Sequence, residues 1–367
     1  MSITITSMFI ALMTSTFLIL LLNYILSNKR CYKKLRLDFL SILIFIIILR
    51  LCFPSEFFYT ITIEAPFFMN PIITFFKLKV IKEITVFNIL TIIWIIGCMH
   101  KLKQLYCQIK QTNHLFEYIK KSSNQMKISD FLPNYIDKDY PVFLTNLVPS
   151  PMVLLFKKAI LVPNIKYTEI EISNILHHEA THLNQCDALI KRFIQILVIL
   201  YWWFPLIYIL EKQIDLFLEM RIDSKVSKKM TKKESLIYLK TLLSVKSKTL
   251  ENNIFPFSQI SSFTIFENKN ILKFRIEYFL EGNFKYKTKK SILFLLFILL
   301  ISTNLVIFEP SYNNEPFLEG TYEADSFGHI LHKKDGTFWL VLNDGTISGE
   351  ITNLKDSGLS NLKIIEE

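Results

Sequence analysis

Glycine is scarce in this chain, with eight in 367 residues, and six of the eight, Gly320, Gly328, Gly336, Gly345, Gly349 and Gly358, fall near the C-terminal end. Composition therefore changes sharply there. Cysteine is sparser still. Its five positions, Cys31, Cys52, Cys98, Cys107 and Cys186, lie in or near apolar runs and lysine-rich segments, and none follows the last apolar run, so structural disulfides are not expected. The first apolar run could be mistaken for a signal peptide, but it lacks a basic leader and a small-residue cleavage site, so a retained span is expected. Acidic residues are in the minority, 32 against 42 Lys and Arg, for a net charge of +10. The lysines crowd segments expected to face the cytoplasm, so an anionic lipid surface is a sufficient partner and direct nucleic-acid binding need not be invoked. Little Gly and Ala beside abundant Lys, Ile, Phe and Asn fits an AT-rich bacterial genome.

What is abundant is apolar sequence. At 51% hydrophobic residues and a mean hydropathy of +0.34, the chain reads as a membrane protein rather than one large soluble core. Apolar runs occur at 3–26, 39–53, 84–99, 193–210 and 291–308. A bilayer needs about 20 apolar residues per helix, so the shorter runs must borrow flanking residues. Lys29, Arg30, Lys33, Lys34 and Arg36 form a cluster that should stay cytoplasmic and put the N-terminus outside. The loop 54–83 then lies outside; it is aromatic (Phe57, Phe58, Tyr59, Phe67, Phe68, Phe75, Phe76), with Pro66 and Pro71 as breakers, and is expected on the membrane surface. Residues 1–99 thus form the N-terminal transmembrane helices. The third run returns the chain to the cytoplasm, where 100–290 is expected as a soluble domain.

Within that domain lies His178-Glu179-Ala180-Thr181-His182. Two histidines four apart project from one helix face, close enough to share a zinc ion at about 2.0 Å each. Glu179 beside them can take a proton from a water that the metal has activated. A helix is expected here independently, since Thr168 with Glu171 makes a capping box and Ile172, Ile175, Leu176, Leu183 and Leu189 supply the apolar periodicity. Such a pentapeptide also arises by chance in solvated helices. A catalytic zinc wants a third protein ligand. Glu219 is assigned that role, with Asp223 one turn on as an acceptor that orients an imidazole N–H. The alternative is that both are exposed helix acids near Arg221 and Lys225. Asp187 either hydrogen-bonds into the site or is a surface acid. His177 points away around the helix and is expected to be structural.

The run 193–210 carries a constraint. If it crossed the membrane completely, Glu219 and the histidines would lie on opposite sides and could not share a metal. Pro205 interrupts it after Tyr201-Trp202-Trp203, so a bent, membrane-embedded hairpin is expected to return the chain to the cytoplasmic side. The run 291–308 is then the last transmembrane helix. Lys285, Lys287, Lys289 and Lys290 precede it, and Glu309, Glu315 and Glu319 follow. Beyond it, 309–367 reads as a small extracellular antiparallel β-meander, with short β-prone runs at 337–342 and 346–352 and turn signals at Asp335-Gly336 and Asp344-Gly345.

In this order the features resemble the BlaR/MecR-type family of bacterial membrane antirepressor metallopeptidases. The resemblance rests on Val148-Pro149-Ser150-Pro151, Ala159 to Pro163, the zinc helix with Asp187, Tyr201-Trp202-Trp203-Phe204-Pro205, Glu219 with Asp223, and the basic segment Ile271-Leu272-Lys273-Phe274-Arg275-Ile276, and it spans roughly residues 1–308. It implies a gluzincin-like α+β protease domain, with Zn2+ held by His178, His182 and Glu219 and with Glu179 as general base. It implies that Met152, Val153, Leu154 and Leu155 could form an edge strand against which an extended substrate adds; otherwise they are simple core. The departure is the tail. Ser360 and Lys363 have the serine-lysine spacing of a penicillin-binding domain, but the tail is too short for that fold and the companion motifs are absent, which puts direct β-lactam sensing in doubt.

The expectation is thus an α-helical polytopic protein of the bacterial cell membrane with a cytoplasmic zinc endopeptidase domain. It would cleave a cytoplasmic transcriptional repressor in response to an unknown extracellular envelope or antibiotic signal. The segment 225–290, with Asn252-Asn253-Ile254-Phe255-Pro256-Phe257, could hold a self-cleavage site, form an access lid, or serve as a helical linker. Two rivals share some of these features: a quality-control zinc protease of broad substrate range, and a non-catalytic transducer in which zinc is structural.

Overall fold

The structure, a computed structural model, describes residues 4–28, 36–54, 60–81, 83–133, 135–154, 156–228, 230–251, 269–280, 288–302, 306–309, 328–333, 337–342, 347–351 and 362–366. Lys29, Arg30, Lys33, Lys34, Lys285, Lys287, Leu155, the segment 252–257, Ser360 and both Asp-Gly turns lie outside the described residues. The chain divides into two compact units, Met1–Glu309 and Pro310–Glu367.

In the first unit, α1 (Ile5–Ser27) starts at Thr4, whose side chain accepts from the Ser7 N–H at 3.1 Å, and packs against α2 (Leu37–Cys52). A strand β1 (Ile61–Glu64) and helix α3 (Pro66–Lys77) follow, the helix leaving Phe67, Phe68 and Phe75 exposed. A short hairpin, β2 (Lys79–Ile81) with β3 (Ile84–Thr85), leads into α4 (Val86–Ser122), a helix of 37 residues. The sequence suggests a boundary at residues 99/100, but α4 crosses it without interruption. Lys101 and Lys103 are good helix formers, so polarity changes along α4 while the backbone hydrogen bonding does not.

The C-terminal part of α4 covers a four-stranded sheet. Its strands are β4 (Gln125–Lys127), β5 (Pro141–Thr145), β6 (Met152–Leu154) and β7 (Ala159–Pro163), and a one-turn helix, α5 (Ile128–Phe131), follows β4. The order is β4-β5-β7-β6, with β5 and β7 parallel and the outer pairings antiparallel. β7 is central, and Ala159, Ile160, Leu161 and Val162 are fully buried. That accounts for its unbroken apolar run, since a strand covered on both faces has no polar side. Each such aliphatic side chain contributes about 1.5–3 kcal/mol. Leu115, Phe116 and Ile119 of α4 cover one face, while Ile175, Leu176, Ala180 and Leu183 of α6 (Glu169–Gln185) cover the other.

The chain then makes α7 (Asp187–Leu200) and, after a turn at Tyr201 to Pro205, α8 (Leu206–Ser227), which packs back on α7. α9 (Lys232–Glu251) contacts α6, α10 (Lys269–Leu280) contacts α8, and α11 (Lys290–Ser302) contacts α2. Leu18, Leu22, Leu43, Ile47, Leu197, Ile207, Leu210 and Leu296 form the core of this helical layer. The helix expected over 291–308 ends at Ser302. Val306–Glu309 is instead a strand, β8, parallel to β1, where β-branched Val306 and Ile307 suit an extended backbone.

Among the described residues, two helices, α1 and α4, are long and apolar enough to cross a membrane, and Lys290–Leu299 is a shorter apolar helix. The second unit contains β9 (Gly328–His332), β10 (Phe338–Leu342), β11 (Ile347–Ile351) and β12 (Ile364–Glu366). The first three are antiparallel neighbours. β12 joins parallel to β9, so the unit is a meander closed by a returning strand rather than a simple meander.

Candidate metal centre

The centre is built on α6. Thr168 caps its first turn, accepting from the Glu171 N–H at 3.3 Å, while Glu171 accepts from the Thr168 N–H at 2.8 Å. This is the capping box that the sequence predicts. At the other end Cys186 adopts a left-handed conformation, φ 54° and ψ 34°. A non-glycine residue there costs about 1–2 kcal/mol, and the sharp turn it allows sends Asp187 back beneath His182.

His178 and His182 are both buried and present their Nε2 atoms to one another at 3.2 Å. The opposite ring nitrogens are committed elsewhere. His182 Nδ1 lies 2.8 Å from Asp187 Oδ2, a carboxylate that can only accept, so Nδ1 carries the hydrogen. His178 Nδ1 lies 2.7 Å from the Tyr238 hydroxyl, which itself donates to Asp223 Oδ1 at 2.7 Å. Tyr238 must then accept, and His178 also holds its hydrogen on Nδ1. With both rings neutral, two Nε2 lone pairs would therefore face each other across 3.2 Å. That arrangement calls for a cation.

Glu219, from α8, closes the third side, with Oε2 at 3.5 Å from His178 Nε2 and Oε1 at 3.7 Å from His182 Nε2. One ligand atom from each of the three residues lies within 4.8 Å of the others. Ligands at 2.0–2.1 Å from a tetrahedral zinc sit about 3.3 Å apart, so the nitrogen and oxygen donors fit that ion in spacing and in type. The reversal of the chain between α7 and α8 is what brings Glu219 to the histidines.

Without a metal a proton on His182 takes the cation's place, and a bound metal ion would have to displace it. Burial alone would lower the His182 pKa, but the Glu219 charge and the Asp187 hydrogen bond outweigh it and push it up to about 10 when no metal competes. Burial alone would raise the Glu219 carboxyl, but the charges on His182 and Arg275 hold it well below its usual range. Burial pushes the Glu179 carboxyl up, against the pull of His178 and His182. Glu179 is itself buried beside the pair.

Asp187 is 2% exposed and also pairs with Arg221, so it is placed inside the site rather than on the surface. Asp223 is 3% exposed, but its carboxylate lies 3.6 Å from His178 Nδ1 and works through Tyr238 instead of directly. Tyr238, Arg275 and Lys191 have no place in the site read from sequence. Lys191 Nζ lies 3.9 Å from Glu219 Oε1 and 3.7 Å from Asp215 Oδ1. His177 sits apart, against the Tyr135 ring.

Beside α6 runs β6, whose outer edge has no neighbouring strand among the described residues. Met152 and Leu154 are buried against Phe116 and Phe143, and Val153 is half-buried. Leu155 lies outside the described residues. A cavity of about 100 Å³ opens alongside, lined by Phe116, Val153, Leu154, Lys191, Ile194 and Asp215 among others.

The BlaR1 peptidase M56 family matches residues 5–279. The chain belongs to this family. Membership makes it a metallopeptidase of a membrane-bound group, and the triad of His178, His182 and Glu219 is the place among the described residues where a metal ion could sit. Regulatory protein BlaR1 of Bacillus licheniformis is 30% identical over 122 residues, which is 32% of this chain and 20% of that relative. The similarity therefore spans about a fifth of the relative's length.

Proposed function

We propose that this M56 peptidase is a zinc metalloendopeptidase of gluzincin type, with His178, His182 and Glu219 as ligands and Glu179 as general base. The observation that carries this reading is the opposed pair of Nε2 atoms, each ring fixed by a partner on Nδ1 and the pair closed on the third side by Glu219. Zinc, when bound, would supply Lewis-acid polarisation of the peptide carbonyl and lower the pKa of water to about 7. Glu179 takes the proton released as water attacks and delivers it to the leaving nitrogen. Its burial beside the two histidines places the carboxyl where a proton has to be taken up and released. Asp187 and, through Tyr238, Asp223 hold the two imidazoles in the tautomer that aims Nε2 inward. The edge of β6 that has no neighbouring strand among the described residues is suited to receive an extended substrate by backbone hydrogen bonds, with one substrate side chain entering the adjoining cavity.

We infer further that the enzyme is a signal-transducing antirepressor in a bacterial membrane. Its protease domain would face the cytoplasm, its N-terminus and C-terminal unit would lie outside, and its substrate would be a transcriptional repressor. Family membership and a relative named as a regulatory protein support this reading, as does the lysine placement that favours a cytoplasmic protease domain. The test is metal content and cleavage together. Glu179→Gln should bind zinc like the wild type and cleave nothing; loss of zinc in this variant, or retained cleavage, would contradict the assignment of Glu179.

A further inference from the structure

Arg275 is a guanidinium with 4% exposure on α10, a helix that carries none of the three candidate ligands. Its Nε and Nη2 each lie 2.8 Å from Asp223, on Oδ2 and Oδ1 respectively, a two-pronged hold on that carboxylate. Its Nη1 lies 3.3 Å from Glu219 Oε2. Glu219 and Asp223 sit one turn apart on the same face of α8, so a half-buried and a buried carboxylate that would repel each other share one cation. The Asp223 oxygen that accepts from Nη2 also accepts from Tyr238, and Tyr238 accepts from His178. One side chain therefore touches the Glu219 carboxylate directly and reaches an imidazole through two further hydrogen bonds.

We propose that Arg275 is a positioning residue of the metal centre. Its fork fixes the orientation of Glu219 and the Asp223–Tyr238–His178 chain, and it makes the docking of α10 on α8 a condition of metal binding. This rests on the reading of His178, His182 and Glu219 as ligands. Lysine could keep the charge but, as a point charge on a flexible stem, could not hold both Asp223 oxygens while contacting Glu219. α10 ends at Leu280 and the apolar helix α11 begins at Lys290, so a shift of α11 has a short route along the chain to the site.

The test uses the full chain in detergent, with zinc affinity measured by chelator competition and coordination read from the visible absorption of bound Co2+. Arg275→Lys should fold by circular dichroism, bind zinc roughly 10- to 100-fold more weakly, and change the Co2+ band. Combined with Asp223→Asn, its effect should be smaller than the product of the two single effects. Arg275→Met removes the cation that Glu219 and the buried Asp223 share; if it fails to fold, Arg275→Lys decides. A folded Arg275→Lys with wild-type zinc affinity and an unchanged Co2+ spectrum overturns the proposal, as does a loss that only tracks the unfolded fraction. Glu219→Ala separates the two claims: it should lose zinc binding. If it binds zinc like the wild type, the ligand assignment itself fails and this inference falls with it.

Discussion

Tyr238 is fully buried with its hydroxyl between an imidazole and a carboxylate, and its replacement is the cleanest probe of how the ring of His178 is held. Tyr238→Phe leaves the His178 N–H without its acceptor and frees the ring to take the other tautomer. Zinc affinity should fall about 10- to 100-fold by chelator competition, while the fold is retained. At the N-terminal end of α6, the helix that carries His178, Glu171 is a titratable lock. Burial alone would raise its carboxyl, but hydrogen bonds from Lys248, Ser244 and the Thr168 N–H bring it from an ordinary 4.5 down to about 2. A depressed folded pKa stabilises fully above the unfolded value and is lost as pH falls from about 5 to 2. Glu171→Gln should therefore cost about 1–3 kcal/mol at pH 7, and the difference in melting temperature should vanish towards pH 2. At this scale the sequence is uneven. His178, Glu179 and His182 are legible because one helix carries them at fixed spacing. Tyr238 and Arg275 are not, because Tyr238 meets His178 across 60 residues and Arg275 meets Asp223 across 52, and neither spacing follows from any local period.

Elements are legible in the sequence where periodicity is strong and less so where two structures suit the same residues. The capped helix α6 and the reversal at Pro205 both follow from local signals. The strand β8 does not, since an apolar β-branched run after a helix is compatible with more helix until its partner β1 is known. The length of α4 was likewise hidden by its change in polarity. α4 is tied to the turn after α7 by Trp94 Nε1 donating to the Leu200 carbonyl at 2.8 Å and Trp202 Nε1 donating to the Trp94 carbonyl at 3.3 Å. Gly97 permits this approach, because a Cβ there would stand 2.1 Å from the Trp202 ring. Gly97→Ala should displace Trp202 and destabilise the α4–α7 contact by about 1–3 kcal/mol, read as a lower melting temperature and increased proteolysis at the 201–205 turn. Gly97→Ser should do the same, whereas Ala at the exposed Met99 should not.

For the whole molecule, composition gave the membrane character and the sharp C-terminal change, and family membership agrees with the first while the compact unit Pro310–Glu367 agrees with the second. The number of crossings was less legible. α2 has 16 residues, about 24 Å of helix, shorter than a hydrocarbon core of about 30 Å, so run length alone cannot make it a span. In a chain whose native cysteines are replaced, a membrane-impermeant thiol reagent should label a cysteine at His332 on intact cells and one at Lys103 only after the cells are permeabilised, if the protease domain is cytoplasmic and the C-terminal unit outside. Equal labelling of both would contradict that topology.

The central claim is that Glu179 drives proteolysis of a few regulatory targets. It is tested most directly by comparing new protein N-termini, by mass spectrometry, in bacteria making equal amounts of wild type or Glu179→Gln, with and without envelope stress. A small set of fragments from a DNA-binding repressor, or from this chain itself, should disappear in the variant. Loss of fragments from many membrane proteins would point to quality control instead, and identical profiles under every condition would contradict the proteolytic account.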